Sequence, residues 1–386
     1  MRKVAAVLAV ATLVLTGCGS SSGAANLAGA VGNGKCDKSS TVNKYSTSFG
    51  DISKINYIYP LGAMSTSHIT PVDHMYVYYN ENPQQSAPEG TYIITAPADG
   101  VISAIEDFQK SNQYPYPDYR VVISHSCDFF TAFIHLGKLA DGIKEGAKVK
   151  AGQPIADDSQ SPGFDYSTFD QNVKLNLANL ASYSEMESWK PYTAHPFDYF
   201  PADIKGQLEA KSLRTSAPFD GRIDWDQLGT AQGNWFEQGS NGYRGKGDQT
   251  ASFNNHGKIA HGYWDTHLAM APDAVDNSSF VYSIGDWAGC PCQFLSKGNV
   301  DPKTITVSSS PTVLVLSEYV QVSASGQGMD PMRPSKGYTL KAGSQVAGLL
   351  ALQLMKDGTL KVEKLPGVTD PASFKGFGAN AKVYVR

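Results

Sequence analysis

Charge is scarce in this 386-residue chain: Asp, Glu, Lys and Arg make up 18%, and acids outnumber bases by 36 to 32, for a formal charge of −4. Binding nucleic acid takes clustered Lys and Arg to neutralise phosphates, and no such cluster exists, so no nucleic-acid partner is expected. Cysteine is sparse as well, with only Cys18, Cys36, Cys127, Cys290 and Cys292. The C-terminal part, 216–386, has no Gly-x-Ser-x-Gly elbow and no phosphate loop, which removes from it the sequence signs of a serine hydrolase or a nucleotide enzyme. No repeat at solenoid periods is present. Even the apolar run at the start, Val4 to Leu15, is too short for a comfortable membrane-spanning helix.

That run has a different meaning. Met1-Arg2-Lys3 precedes it and Leu15-Thr16-Gly17-Cys18 follows, so residues 1–17 read as a signal peptide. Cysteine directly after Leu-Thr-Gly fits the bacterial lipobox, in which the thiol is lipidated and becomes the new N-terminus. A diacylglyceryl thioether plus an N-acyl chain would anchor the protein stably to a membrane through Cys18. Gly19 rather than Asp follows Cys18, which points to the outer membrane of a two-membrane bacterium. The expected location is the cell envelope, facing the periplasm or the exterior. That compartment is oxidising, so the other four cysteines are expected to form disulfides, with three pairings open. Cys290-Pro291-Cys292 has one residue between its thiols, not the two of a redox Cys-x-x-Cys, and reads as structural.

Glycine (37), tyrosine (20) and phenylalanine (16) are plentiful, which suits an exported, mainly β protein with many turns. Small residues mark 18–52 as a flexible tether behind the lipid. Residues 53–172 read as short strands broken by Gly, Pro and Asn. Residues 173–215 read as a partly helical connector, with Leu175, Leu177, Leu180 and Tyr183 at mixed helical spacing and Pro201 early in a further helix. From 216 to 386 strands return in "GRIDWD", "GNWFEQG", "HLAMAP", "TVLVLSEYVQVSA" and "GTLKVEKLP", which suggests a β-barrel or sandwich.

The chemistry-bearing stretch is "SHITPVDHMYVYY", which places His68, Asp73 and His74 ahead of an alternating strand. A catalytic zinc takes three protein ligands from imidazole or carboxylate and leaves one position for water. By period-two alternation, His135 shares a strand face with Thr131 and Phe133, and His125 shares one with Val121 and Ile123. The succession "TAPADGVISAI", "YRVVISHSCDFFTAFIHLGKL" and "EGAKVKAGQPIA" resembles the lysostaphin/LytM-type peptidoglycan endopeptidases, whose fold is a duplicated hybrid motif of barrel-sandwich type. The resemblance covers 53–172. The last segment also occurs in biotinyl and lipoyl domains, but no lysine stands where such a carrier needs one.

The resemblance implies a zinc cofactor, with ligands drawn from His68, Asp73, His74 and Asp165 and with His135 and His125 as catalytic imidazoles. The family's first two ligands, His and Asp, lie four residues apart; His68 and Asp73 lie five apart with Pro71 between them. The family's His-x-His falls at "SPGFDYSTFD", where Asp165 stands for one histidine and the other is absent. A lost imidazole predicts a degenerate domain that keeps its groove and binds peptidoglycan or an envelope protein. Two alternatives stand beside this: an active zinc endopeptidase cutting peptidoglycan cross-bridges, and a small-molecule-binding lipoprotein acting through the C-terminal domain. In that domain His256, His261, Asp265 and His267 match no established zinc spacing and read as a Gly-rich loop with its flank.

Overall fold

The computed structural model describes residues 27–79, 87–109, 117–246, 252–253, 259–330 and 333–386. The leader, Cys18 with the start of the tether, and His256 lie outside the described residues.

Two β domains are present, as the mainly β composition predicts. The first holds β1 (Tyr57–Tyr59), β2 (Met75–Tyr78), β3 (Ile93–Thr95), β4 (Gly100–Asp107), β5 (Tyr119–Ser126), β6 (Phe129–Leu136), β7 (Lys138–Leu139), β8 (Lys148–Val149), β9 (Pro154–Asp157) and β10 (Gly163–Asp170). Seven of them form an antiparallel sheet in the order β1-β2-β10-β6-β5-β4-β8, and β3-β9-β7 form a second, smaller sheet. Alternation assigns the two faces of the large sheet. Met75, Val77, Phe133, Phe164 and Tyr166 point inward to a core shared with Ile94, Ile155 and Ala156 of the small sheet. The opposite face carries Tyr76, Ala132, Ile134, Asp165, Ser167 and Phe169. Gly163 lets β10 approach β2 closely, because a Cβ there would collide with the Val77 carbonyl oxygen.

The tether expected over 18–52 ends sooner than composition suggests. Helix α1 (Leu27–Val31) buries Leu27, Ala28 and Val31 against Val122, Phe130, Ala132 and Phe169, covering one end of the outer sheet face. Cys36 is bonded to Cys127 in the β5–β6 turn, and Tyr45 and Phe49 enter the main core. The small residues around these anchors mask them in a composition average, and a disulfide spanning 91 residues leaves no local trace in sequence.

The connector is partly helical as expected: single 3-10 turns at Leu180–Tyr183, Lys190–Tyr192 and Pro196–Tyr199 precede α2 (Ala202–Lys211). "GRIDWD", expected as a strand, is extended but unpaired apart from one bridge at Gly221. Its Asp226 is committed elsewhere, accepting from the backbone N–H groups of Ala178 and Asn234 at 2.7 Å each.

The second domain holds β11 (Gly233–Glu237), β12 (Ser252–Phe253), β13 (Ile259–His261), β14 (His267–Pro272), β15 (Phe280–Ile284), β16 (Cys292–Ser296), β17 (Thr312–Val322), β18 (Thr339–Leu354), β19 (Leu360–Pro366) and β20 (Lys382–Val385). Eight of these close a barrel, β11-β14-β15-β16-β17-β18-β19-β20, with β20 returning to pair with β11. Its inward side chains, among them Trp235, Met270, Tyr282, Phe294, Leu316 and Leu350, pack into one apolar cluster. An eight-stranded barrel is narrow enough to be filled this way, so the filled interior argues against a ligand chamber there. Both faces of β14 are buried: Leu268 and Met270 point into the barrel, while Ala269 and Ala271 join Tyr57, Met64 and Leu213 in the contact between domains.

Candidate functional site

A cleft of about 340 Å³ lies on the part of the outer sheet face that α1 leaves open, with His68, Asp73, His74, His135, Asp165 and Trp189 in its wall. A second hollow of about 220 Å³, lined by Tyr76, Tyr78 and Pro162, meets it at His135 and Asp165. β2 supplies the tyrosines, and His74, just before it, stays on the same face by alternation. β10 supplies Asp165, whose Cα is paired with Tyr76 on one side and Ile134 on the other.

His135 reaches the cleft by breaking the alternation. Its expected companions differ, since Phe133 belongs to the core. The backbone of His135 sits at φ +66°, a left-handed conformation uncommon outside glycine, and its ring joins Ala132 and Ile134 in the cleft wall. The expectation that it shares the face of Phe133 is therefore corrected. The site depends on a locally strained residue, of the kind that clusters at functional positions.

Five side chains then alternate in charge across the cleft floor. Asp118 contacts His135 Nδ1 at 3.1 Å; His135 Nε2 lies 3.7 Å from Asp165 Oδ2; His74 Nε2 lies 3.5 Å from the same oxygen; and His74 Nδ1 contacts Asp73 at 3.1 Å. Burial alone would lower both imidazoles. The Asp118 hydrogen bond and the Asp165 charge raise His135 instead, and Asp165 and Asp73 raise His74. Burial raises Asp165, and the two histidines offset this only in part. Burial would also raise Asp73, but its His74 hydrogen bond, the Lys190 charge and a 2.7 Å bond from Trp189 Nε1 hold it below the usual carboxylate range. Lys190 is itself buried; its Nζ contacts Glu187 at 3.2 Å and lies 4.8 Å from the Tyr243 ring centroid, tying the floor to the second domain.

Of the residues expected at the site, His74, Asp73, Asp165 and His135 are brought together. His68 is at the rim, its ring 5.6 Å from that of His74, and burial followed by the His74 and Lys190 charges pushes it down to about 3. His125 is not part of the site. It is fully buried on the core side, its Nδ1 2.9 Å from the Asp99 carbonyl and its Nε2 2.9 Å from Thr131 Oγ1. The catalytic role expected for it is corrected accordingly: the strand face it shares with Val121 and Ile123 is the core face. Asp118, Trp189, Lys190 and Glu187 were not apparent from sequence. Asp118 follows a Tyr-Pro repeat without metal-motif spacing, and Trp189 is 116 residues from the carboxylate it holds. In the second domain His261 contacts Asp265 at 3.0 Å, whereas His267 is buried and bonded to the Tyr243 carbonyl, so the two histidines serve different local structures.

The buried neutral histidines make acid sensitivity predictable. Burial pushes His125 down to about 4 and His267 down to about 3. The unfolded chain takes up their protons below the ordinary value near 6.5, and the folded chain does not. Stability contributed by both is present above that value and is lost as pH falls toward 4, at up to about 1.4 kcal/mol per pH unit for each. His74 and His135, raised, act in the opposite sense, so the test is differential. The guanidinium midpoint between pH 7 and 4 should fall more steeply in the unaltered chain than in His125→Gln, and equal slopes would contradict it.

Residues 83–174 match Peptidase family M23. The chain thus carries a LytM-like, metallopeptidase-like domain over that segment. Among solved structures, a zinc-containing peptidase from Vibrio cholerae is 18% identical over 34% of this chain and 38% of its own, with a TM-score of 0.25. The catalytic domain of the prophage-encoded M23 protein EnpA from Enterococcus faecalis is 20% identical over 33% of this chain and 90% of its own, with a TM-score of 0.24. Lysostaphin from Staphylococcus simulans is 10% identical over 89% of this chain and 100% of its own, with a TM-score of 0.26. The chain spans only 38% of the length of the Vibrio peptidase. No curated protein matches the chain.

M23 peptidases are typically zinc-dependent, and the donors present here do not assemble the family's ligand set. Asp73 is turned to His74 and Trp189, with one oxygen on each. Gly163 and Asp165 stand where the resemblance places His-x-His, so one position has no side chain and the other has a carboxylate. Among the described residues no group of three or more His, Cys, Asp or Glu is placed to hold a metal ion.

Proposed function

We propose that this protein is a lipid-anchored envelope protein whose M23-like cleft binds the peptide part of peptidoglycan without cleaving it efficiently. The observation that carries the reading is the Asp118–His135–Asp165–His74–Asp73 alternation. In this row each histidine stands between two carboxylates, so the charged groups of the floor largely neutralise one another. The cleft that remains offers what an extended peptide needs: polar groups along the floor and the Tyr76, Tyr78 and Trp189 rings on its walls. Anchoring through Cys18 would hold the cleft against the cell wall.

Purified sacculi should retain the full mature chain, and Trp189→Ala together with Asp165→Ala should reduce that retention at least tenfold with no release of soluble fragments by either protein. Failure of the unaltered chain to sediment with sacculi would overturn the reading. One observation favours the zinc endopeptidase instead: His74 Nε2 is buried, makes no hydrogen bond and faces Asp165. Elemental analysis decides between them. About one zinc per chain, lost in Asp165→Ala and accompanied by sacculus solubilisation, would replace the binding reading with the enzymatic one.

A further inference from the structure

Among the described residues two cysteines are unbonded, and neither lines the cleft. Cys290 and Cys292 flank Pro291 where the β15–β16 turn enters β16, and their Sγ atoms lie 3.2 Å apart, both partly exposed. The turn holds them in place. Ala288 and Gly289 take left-handed conformations at φ +54° and +90°, the Trp287 N–H donates to the Cys290 carbonyl at 2.7 Å, and the buried Trp287 ring packs on Phe294. Cys290 Sγ points back toward the Trp287 carbonyl at 3.4 Å.

A bond between these sulfurs would be a poor structural brace. Cross-links stabilise chiefly by restricting the unfolded chain, and more so for longer loops, so a ring closed across a single residue restricts almost nothing. Cys36–Cys127, which encloses 91 residues, is the contrasting case. Small, exposed disulfides are the ones that open and close readily.

We propose that Cys290-Pro291-Cys292 is a reversible thiol–disulfide exchange site whose co-reactant is a disulfide. Cys290 lies in the turn ahead of the strand, whereas Cys292 is within β16, paired with Ile284, where burial pushes its thiol up, so Cys290 is the first to attack. The Cys290 thiolate bonds to one sulfur of the incoming disulfide, and the other sulfur leaves as a thiolate that takes up a proton. Cys292 then loses its proton to solvent and attacks the Cys290 sulfur, which expels the second thiolate. The protein dithiol is oxidised by two electrons and the incoming disulfide is reduced to two thiols.

The test uses the full mature chain and glutathione buffers of increasing oxidation, with alkylation and peptide mass mapping. Reduced glutathione should leave Cys290 and Cys292 alkylatable while Cys36–Cys127 stays closed. Glutathione disulfide should remove both reactive thiols, leaving the 290–292 peptide two hydrogens lighter, and added reduced glutathione should restore them. Cys292→Ser should instead accumulate a glutathione adduct on Cys290, because no second thiol is there to displace it. Two thiols that stay alkylatable in excess glutathione disulfide, or a closed pair that glutathione cannot reopen in the folded protein, would overturn the proposal.

Discussion

Replacing Cys36 and Cys127 with serine lowers the unfolding free energy by about 4.6 kcal/mol, the loop-closure value for a cross-link of this span. The bond joins the segment after α1 to the β5–β6 turn across 91 residues. Without it the unfolded chain gains the entropy of that loop, while the folded chain keeps its other anchors: the docking of Leu27, Ala28 and Val31, the Leu27 and Asp37 N–H bonds to Gln171 and Ser124, Tyr45 in the core, and the Lys35–Glu145 ion pair. That pair is largely exposed and cannot compensate. The doubly substituted protein should unfold at a markedly lower guanidinium concentration with a similar slope. A change below about 1 kcal/mol would mean that the reduced, unfolded chain already keeps 27–45 near the sheet, which is the known reason such cross-links underperform.

How far the sequence discloses the structure depends on the range of each interaction. Period-two alternation in Met75–Tyr78 is a local property, and it sorts core from cleft correctly for Met75, Tyr76, Val77 and Tyr78. Turn residues at short intervals likewise disclose the barrel. The same alternation fails at His135, because one left-handed residue inverts the side to which the ring points, and a histidine carries no sign of its φ in sequence. His125 shows the reverse: alternation places it correctly beside Val121 and Ile123, but the side of the sheet that this face would occupy depends on which elements cover it. The tether misleads because composition averages over residues, whereas one Leu, one Val and one Cys suffice to fix α1 and the segment that leads from it to the sheet.

The cleft floor was half legible for the same reason. His68, Asp73 and His74 adjoin one another in sequence, and Asp165 and His135 follow from the family pattern. Asp118, Trp189 and Lys190 arrive through tertiary contact alone. They also add to the meaning of the motif: Trp189 donates to Asp73 and the Lys190 charge favours its carboxylate, in a network that links the connector with the first domain.

Asp73→Ala should therefore be costly for reasons unrelated to metal. Asp73 is 4% exposed, accepts from Trp189 Nε1 at 2.7 Å and contacts His74 at 3.1 Å. Removing it takes one of two carboxylates from the field of the buried Lys190, which keeps Glu187 at 3.2 Å, strips His74 Nδ1 of its partner and leaves the Trp189 N–H without its acceptor. Truncating one partner of a buried charge set typically costs about 3–5 kcal/mol, because the remaining charge stays desolvated. Trp189→Phe removes one hydrogen bond and keeps the ring over the cleft, so a loss of about 1–2 kcal/mol is expected for it alone. Since Asp73→Ala already abolishes that bond, the double variant should be little worse than Asp73→Ala, and the coupling in a double-mutant cycle measures the Trp189–Asp73 contact. Unfolding at pH 7 with chelator present and absent separates this role from metal ligation. If Asp73 acts through Lys190, His74 and Trp189, chelation changes none of the four stabilities. If it ligates a metal, chelation lowers the unaltered protein toward Asp73→Ala and leaves that variant where it was.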